Sequence, residues 1–369
     1  MHNLDWFVLI FTLIIIVVYG TWKTRGAKTA NEYIKAGNEA KWWTIGLSVM
    51  ATQASAITFL STPGQAYNDG LGFVQFYFGL PIAIVLVCTI FIPVYHKLKV
   101  YTAYEFLESR FDLKTRSLTA LLFLIQRSLS ASITIFAPAI ILSTVLGWDL
   151  ITTNIIIGTL VIIYTVTGGT KAVNFTQKYQ MGIILIGLVI VLFTIFNLLP
   201  DDIDFNSAVK IASANSKMDV LNFSFDLDNR YTVWSGIIGG TFLMMSYFGT
   251  DQSQVQRYLS GKSLKEMQLG MIFNGIFKIP MQFFILFIGV MVFVFYQFNP
   301  SPLNFNPQGK IIISNTNYEN EYIQLEENLE NNFKEKTYIL NDVLSQDKMV
   351  VKGKIDKLNF EEKKIRDRA

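Results

Sequence analysis

Charge, histidine and cysteine are all scarce in this sequence. Asp, Glu, Lys and Arg make up 16% of the 369 residues, against about 25% in an ordinary soluble domain. Only two histidines occur, His2 at the terminus and His96 at the edge of an apolar run, so the apolar segments hold neither a histidine metal site nor a Ser-His-Asp triad. The single cysteine, Cys88, lies inside an apolar run, which excludes an intramolecular disulfide. There is no Gly-Xaa-Ser-Xaa-Gly elbow, phosphate-binding loop or cysteine pair. The sequence therefore predicts no enzyme and no nucleic-acid partner.

What is abundant is apolar. Hydrophobic residues form 51% of the chain, 30 of them are Phe, and mean hydropathy is +0.37. A membrane-spanning helix needs about 20 apolar residues, and eight segments qualify: 5–22, 43–62, 72–95, 117–146, 151–168, 176–199, 232–250 and 270–297. The first is not a secretory signal. No basic residue precedes its apolar core, and Lys23, Arg25 and Lys28 follow it, as they follow a retained anchor. Loops 23–41, 96–116, 169–178 and 251–269 carry 5, 5, 2 and 3 Lys/Arg, whereas 1–4, 63–71, 147–150 and 200–231 carry none, none, none and 3. Basic loops stay in the cytoplasm, so the expectation is an inner-membrane protein, embedded in the lipid bilayer, with its N-terminus outside. Residues 301–369 hold 11 basic and 12 acidic residues. They read as a polar, extracytoplasmic loop or tail, in which 320–369 suits either one charged amphipathic helix or disorder.

Polar groups inside the apolar runs are the informative ones. The second run, Gly46 to Gly64, carries Thr52, Gln53, Ser55, Thr58, Ser61 and Thr62, and Pro63-Gly64 is expected to end it. Two readings stand side by side. Small and hydroxylated residues let helices approach closely, or the helix is discontinuous and its freed carbonyls hold a cation. Lys278 lies about two turns into the eighth run; it either snorkels to the interface or serves a function. Arg127, ten residues into the fourth run, either pairs within the bundle or meets an anionic solute. Asp251 reads as a structural cap, and Tyr247 as packing or function.

One string gives these features a context. Tyr164-Thr-Val-Thr-Gly168-Gly169-Thr-Lys171-Ala172-Val173-Asn-Phe-Thr176-Gln-Lys-Tyr-Gln180 resembles the loop signature of the solute:sodium symporter family. Tyr247-Phe-Gly-Thr-Asp251-Gln252-Ser-Gln-Val-Gln256-Arg257 resembles a second family segment. Ser55-Ala-Ile-Thr-Phe, Tyr104-Glu105-Phe-Leu-Glu108 and Ala137-Pro138-Ala139 are most similar to the iodide, multivitamin and monocarboxylate branch. The resemblance covers residues 1 to about 298. It implies an all-α membrane protein of the LeuT-type inverted-repeat fold, with 43–199 as the first repeat and a broken first core helix. It implies a secondary active transporter that couples sodium to a small-molecule solute by alternating access. The backbone carbonyls of Ala51 and Ala54 would be sodium ligands. Gln53, Thr58, Tyr77 and Lys278 would face the solute, and Tyr247 would be a gate.

Two departures accompany the resemblance. The family's Thr-Asp is Thr176-Gln177 here, which removes an acid associated with cation passage. The second repeat also stops after two of its five helices, before the one whose Ser/Thr hydroxyls complete the family's sodium site. The expectation is therefore an incomplete fold that is inactive alone and needs a missing C-terminal half. The alternatives are a membrane sensor or receptor on the same fold, or a non-functional remnant.

Overall fold

The computed structural model describes residues 3–24, 29, 34–226, 228–304, 310, 313–314, 316–343 and 348–368. Among them the regular structure is helical, and the one β-bridge, Ala40 to Gly261, belongs to no strand. Four stretches are long and apolar enough to cross a membrane: Ile57–Leu98, Leu113–Leu146, Thr176–Leu198 and Leu264–Phe298. Leu150–Ile163 is apolar but shorter.

Helix α1 is Asn3–Thr24. The polar second run forms two helices, α2 (Trp42–Gln53) and α3 (Ala56–Asp69), separated at Ala54-Ser55. A 3-10 stretch, Gly70–Tyr77, leads into α4 (Leu80–Leu86), a π turn (Val87–Phe91) and α5 (Ile92–Leu98). Then follow α6 (Glu105–Arg110), α7 (Leu113–Leu146), α8 (Leu150–Leu198) and α9 (Phe205–Ala214). A second π turn, Ser235–Gly239, opens α10 (Gly240–Gly249), and α11 (Gln252–Leu259), α12 (Leu264–Phe298), α13 (Glu319–Val343) and α14 (Lys348–Arg368) complete the order.

Aspartate starts four of these helices. Asp112, Asp149, Asp204 and Asp251 each accept a backbone N–H two or three residues on, at 2.7, 3.0, 2.8 and 2.8 Å. This satisfies one of the donors that every helix start leaves without an internal partner. The Thr115 side-chain and backbone bonds hold the Asp112 carboxyl below the usual carboxylate range.

The structure corrects three expectations. Helix α3 does not end at Pro63-Gly64 but runs through them to Asp69. Pro63 loses its own helical N–H bond, and tight packing compensates: a Cβ on Gly289 of α12 would collide with the Pro63 carbonyl, so the two backbones touch. The double glycine Gly168-Gly169 does not turn the chain either. One helix, Leu150–Leu198, runs through both expected spans and the loop between them. That stretch has no proline, each glycine costs only about 1 kcal/mol in a helix, and the nearby Thr170 and Asn174 are buried and hydrogen-bonded. Finally, the tail forms two helices, α13 and α14, rather than one.

The chain divides into two compact units. The first comprises residues 1–61, 74–186 and 223–282. Its core gathers Ile45, Val49, Leu80, Ile84, Val87, Ile92, Met244, Phe248, Val255, Tyr258 and Met271. Helix α10 packs there at backbone distance, because a Cβ on Gly236 would meet the Gln75 carbonyl and one on Gly79 the Thr241 amide. Lipid offers apolar side chains no reason to associate, so such close contact does the work of holding helices together. Helix α7 instead exposes Leu118, Leu121, Leu124, Ile125, Leu129 and Ile133, an outward apolar face suited to acyl chains.

The second unit comprises residues 62–73, 187–222 and 283–369. Within it α13 and α14 form a hairpin around Tyr322, Leu325 and Leu329. The hairpin's own buried side chains Asn332 and Lys336 are paired. Asn332 Nδ2 donates to the Leu358 carbonyl at 3.1 Å, and Lys336 Nζ meets Glu362 at 3.1 Å. Arg366 Nε donates to Glu362 at 3.0 Å and its Nη1 to the Pro302 carbonyl at 3.1 Å.

Candidate functional site

The break at Ala54-Ser55 sets the geometry. Ala54 has φ −86° and ψ 68°, outside the helical region, while its N–H still donates to the Met50 carbonyl at 2.9 Å. Helix α2 thus ends, and α3 restarts two residues later. Thr58 donates its hydroxyl back across the gap to the Gln53 carbonyl at 3.2 Å, replacing a lost helical donor. Among the described residues no hydrogen bond reaches the carbonyl oxygens of Ala51 or Ala54. Each presents partial negative charge without a carboxylate, the kind of donor a hard cation such as sodium takes.

Beside the break lies a cavity of about 260 Å³, lined by Gln53, Tyr77, Leu243, Met244, Tyr247 and Lys278. Gln53 comes from the last turn of α2, Tyr77 from the end of the 3-10 stretch, Leu243, Met244 and Tyr247 from α10, and Lys278 from α12. Four of the residues singled out in the sequence therefore share one wall. Thr58 does not line it, because its hydroxyl faces the Gln53 carbonyl.

The cavity's electrostatics are lopsided. Lys278 is 2% exposed, and among the described residues its ammonium has no carboxylate and no hydrogen-bond acceptor. Its nearest charge-stabilising feature is the Tyr77 ring, 5.9 Å from Nζ to the centroid. Gln53 Oε1 is also buried without a partner. An unpaired buried ammonium is costly, so the site is short of negative charge.

Tyr247 belongs to two cavities. A second one of about 240 Å³ is lined by Tyr247, Leu243, Tyr104, Gln126, Thr250 and Asp251 among others. Gln254 Nε2 donates to the Tyr247 hydroxyl at 2.7 Å. Beside it Arg127 pairs with Asp251, donates to Ser253 Oγ at 2.7 Å, and has its guanidinium 6.0 Å from the Tyr247 ring centroid. Arg127 thus has a carboxylate partner inside the protein, contributed by a helix cap.

Below the break, α2 is tied to α8. Ser48 Oγ lies 2.7 Å from Asn174 Oδ1 and 2.8 Å from Gln177 Oε1, and Gln177 Nε2 donates to Thr52 Oγ1 at 3.3 Å. Gln177, where the family has an acid, is therefore part of a network of hydroxyls and amides that Arg257 also joins, its Nη1 donating to Asn174 Oδ1 at 3.2 Å. The side chains of Tyr164, Gly168, Gly169, Lys171 and Ala172 lie outside the described residues.

Sequence reasoning missed two neighbours of Lys278. Asn274 and Gln282 are each 0% exposed, and among the described residues both polar atoms of both side chains lack a hydrogen-bond partner. Their spacing, four residues to either side of Lys278, was the signal available.

The model of the sodium:solute symporter family matches residues 33–336. The human sodium/iodide cotransporter is 31% identical over 297 residues, 79% of this chain and 45% of that protein. Human sodium-coupled monocarboxylate transporter 1 is 33% identical over 259 residues, 70% of this chain and 42% of that protein. The Proteus mirabilis sodium/sialic acid symporter is 31% identical over 309 residues, 83% and 62% of the two chains. A solved structure of a Na+-coupled sialic acid symporter, in a substrate-bound outward-open state, superposes with a TM-score of 0.74 at 25% identity, covering 99% of this chain and 80% of that one. The chain spans less than half the length of the iodide and monocarboxylate relatives.

Proposed function

The chain belongs to the sodium:solute symporter family, whose members are multi-pass membrane transporters, and from that premise we propose that it binds sodium and a small anion for coupled symport. The observation that carries this reading is the interrupted helix. Helix α2 stops at Gln53 and, among the described residues, leaves the carbonyls of Ala51 and Ala54 without donors, beside a cavity whose lining cation, Lys278, has no counter-charge among those residues. Sodium would be held by those carbonyls, and the anion would sit against Lys278, with Gln53 and Tyr77 orienting it. A positively charged ion and a negatively charged solute in adjacent sites favour each other's binding, which is the thermodynamic content of coupling. The relatives are named for iodide, monocarboxylates and sialic acid, all of them anions or acids.

Tyr247 acts as a gate between the two cavities whose wall it forms, with Gln254 and Arg127 setting its resting position. Alternating access on the LeuT-type inverted-repeat fold would expose the sites to each side in turn. The protein would lie in the inner membrane with its N-terminus outside, as the distribution of basic loops favours.

Equilibrium binding of labelled iodide and labelled pyruvate to the purified protein tests the reading, in sodium and in choline. At least one label binds about tenfold tighter in sodium, a coupling energy in the usual range of 1–3 kcal/mol. Binding indifferent to the cation sinks the coupling, and binding unchanged in Lys278→Met sinks the anion site.

A further inference from the structure

The buried amides on α12 have no role in the site just described. Asn274, Lys278 and Gln282 recur every four residues, so they fall on one helix face about 6 Å apart along the axis. That face can be followed from its contacts. At its cytoplasmic-loop end, a Cβ on Gly270 would strike Ile45 and the Trp42 carbonyl, and Phe273 packs against Gly46. Two turns further, Lys278 shares the central cavity with Gln53. The stripe therefore tracks α2 towards its break, and Gln282 lies one turn beyond.

Four polar atoms on this stripe, Oδ1 and Nδ2 of Asn274 and Oε1 and Nε2 of Gln282, are sealed from solvent and have no hydrogen-bond partner among the described residues. A lone amide of this kind costs stability, because water has been removed and nothing replaces it. Packing does not need it, since leucine fills the same volume without the penalty. Two such residues flanking Lys278, whose ammonium has no acceptor among the described residues, form a pattern that a passing ligand would satisfy.

We propose that Asn274 and Gln282 are anion-binding rungs on either side of Lys278, a donor ladder along which the solute enters and leaves the central cavity. The inference rests on the anionic reading of that cavity. Each rung offers an N–H donor: the carboxamide of Asn274, the ammonium of Lys278, the carboxamide of Gln282. An anion handed between rungs never lies naked in low dielectric, whereas a cation would have to pass the ammonium. The described conformation closes both outer rungs, as alternate exposure requires of sites on opposite sides of the centre.

The test combines iodide binding, iodide exchange across proteoliposome membranes, and thermal stability for the wild type, Asn274→Leu, Gln282→Leu and Asn274→Asp. The leucine variants slow exchange by about tenfold, the factor expected for one lost hydrogen bond to a charged group. They leave iodide affinity at Lys278 within about twofold and raise the melting temperature, because an unpaired amide is gone. Asn274→Asp keeps the size, replaces a donor with negative charge, and slows exchange further; faster exchange in that variant would mean a cation or water route and overturn the ladder. Unchanged exchange in both leucine variants, or melting temperatures that fall together with affinity, also overturns it and leaves the Lys278 site standing. If the wild type binds no iodide and no pyruvate, the anionic reading fails first.

Discussion

Two of the lysines buried among the described residues are treated in opposite ways. Lys336, in the hairpin of α13 and α14, is 4% exposed and lies 3.1 Å from Glu362, which Arg366 also holds. Lys278, in α12, is 2% exposed and has neither carboxylate nor hydrogen-bond acceptor among the described residues. The neighbours differ in the same sense. Asn332 in the hairpin donates to a carbonyl at 3.1 Å, whereas Asn274 and Gln282 bond to nothing. Burial alone therefore does not separate architecture from function. A buried polar group whose partner is built in secures the fold, and one whose partner is absent waits for a ligand.

Substitutions can break or sharpen this contrast. The largest effect is expected in the hairpin. Glu362→Gln strands the Lys336 charge and destabilises the hairpin by on the order of 3 kcal/mol, read as early proteolysis within 319–368. Acid should act on the same pair. Burial pushes the Glu362 carboxyl up, but Lys336 and Arg366 outweigh it and hold the group below the usual carboxylate range. A lowered carboxylate stabilises the fold above its unfolded value, about 4.3, and loses that contribution as pH falls through its folded value. The hairpin should thus keep its protection near neutrality and lose it only in strong acid; loss between pH 6 and 8 would contradict the assignment.

Lys278→Met should do the reverse of Glu362→Gln. Removing an uncompensated buried charge raises stability by about 1–3 kcal/mol in the absence of ligand, visible as a higher melting temperature, and abolishes iodide binding. A lower melting temperature would place Lys278 with Lys336 as a structural residue. The smallest expected change is Thr58→Val. Losing the hydroxyl that reaches the Gln53 carbonyl costs about 1 kcal/mol and alters the sodium dependence of melting, because the break loses its bridge.

Some of this was legible in the residues. The apolar runs, the polar character of 46–62 and the two family segments pointed to a helical sodium symporter, and Gln53, Tyr77, Tyr247 and Lys278 do line one cavity. The placing of interruptions was not legible in local chemistry; only the family resemblance implied a break beside Ala51 and Ala54. Local breaker chemistry favours Pro63-Gly64 and Gly168-Gly169, yet the helices run through both and break at Ala54-Ser55, where neither residue is a breaker. Tertiary contact decides: Gly289 accommodates Pro63, and the Thr58 hydroxyl stands in for a backbone donor. Arg127 found its partner 124 positions away at Asp251, a distance no local pattern reports. Asn274 and Gln282 escaped because averaging hydropathy over a span hides two amides among so many Phe, Ile and Met. The hairpin was half visible: Tyr322, Leu325, Leu329, Asn332 and Lys336 recur at three- and four-residue intervals, the trace of one buried helix face.

The ring of Tyr247 and the side chain of Leu243 are a party wall with a chamber on each side. A wall of one side chain's thickness has no second leaf, so swinging it to widen one room narrows the other. On the gating role proposed for Tyr247, traffic through the two rooms would be sequential by construction, with no separate interlock to stop both doors standing open together.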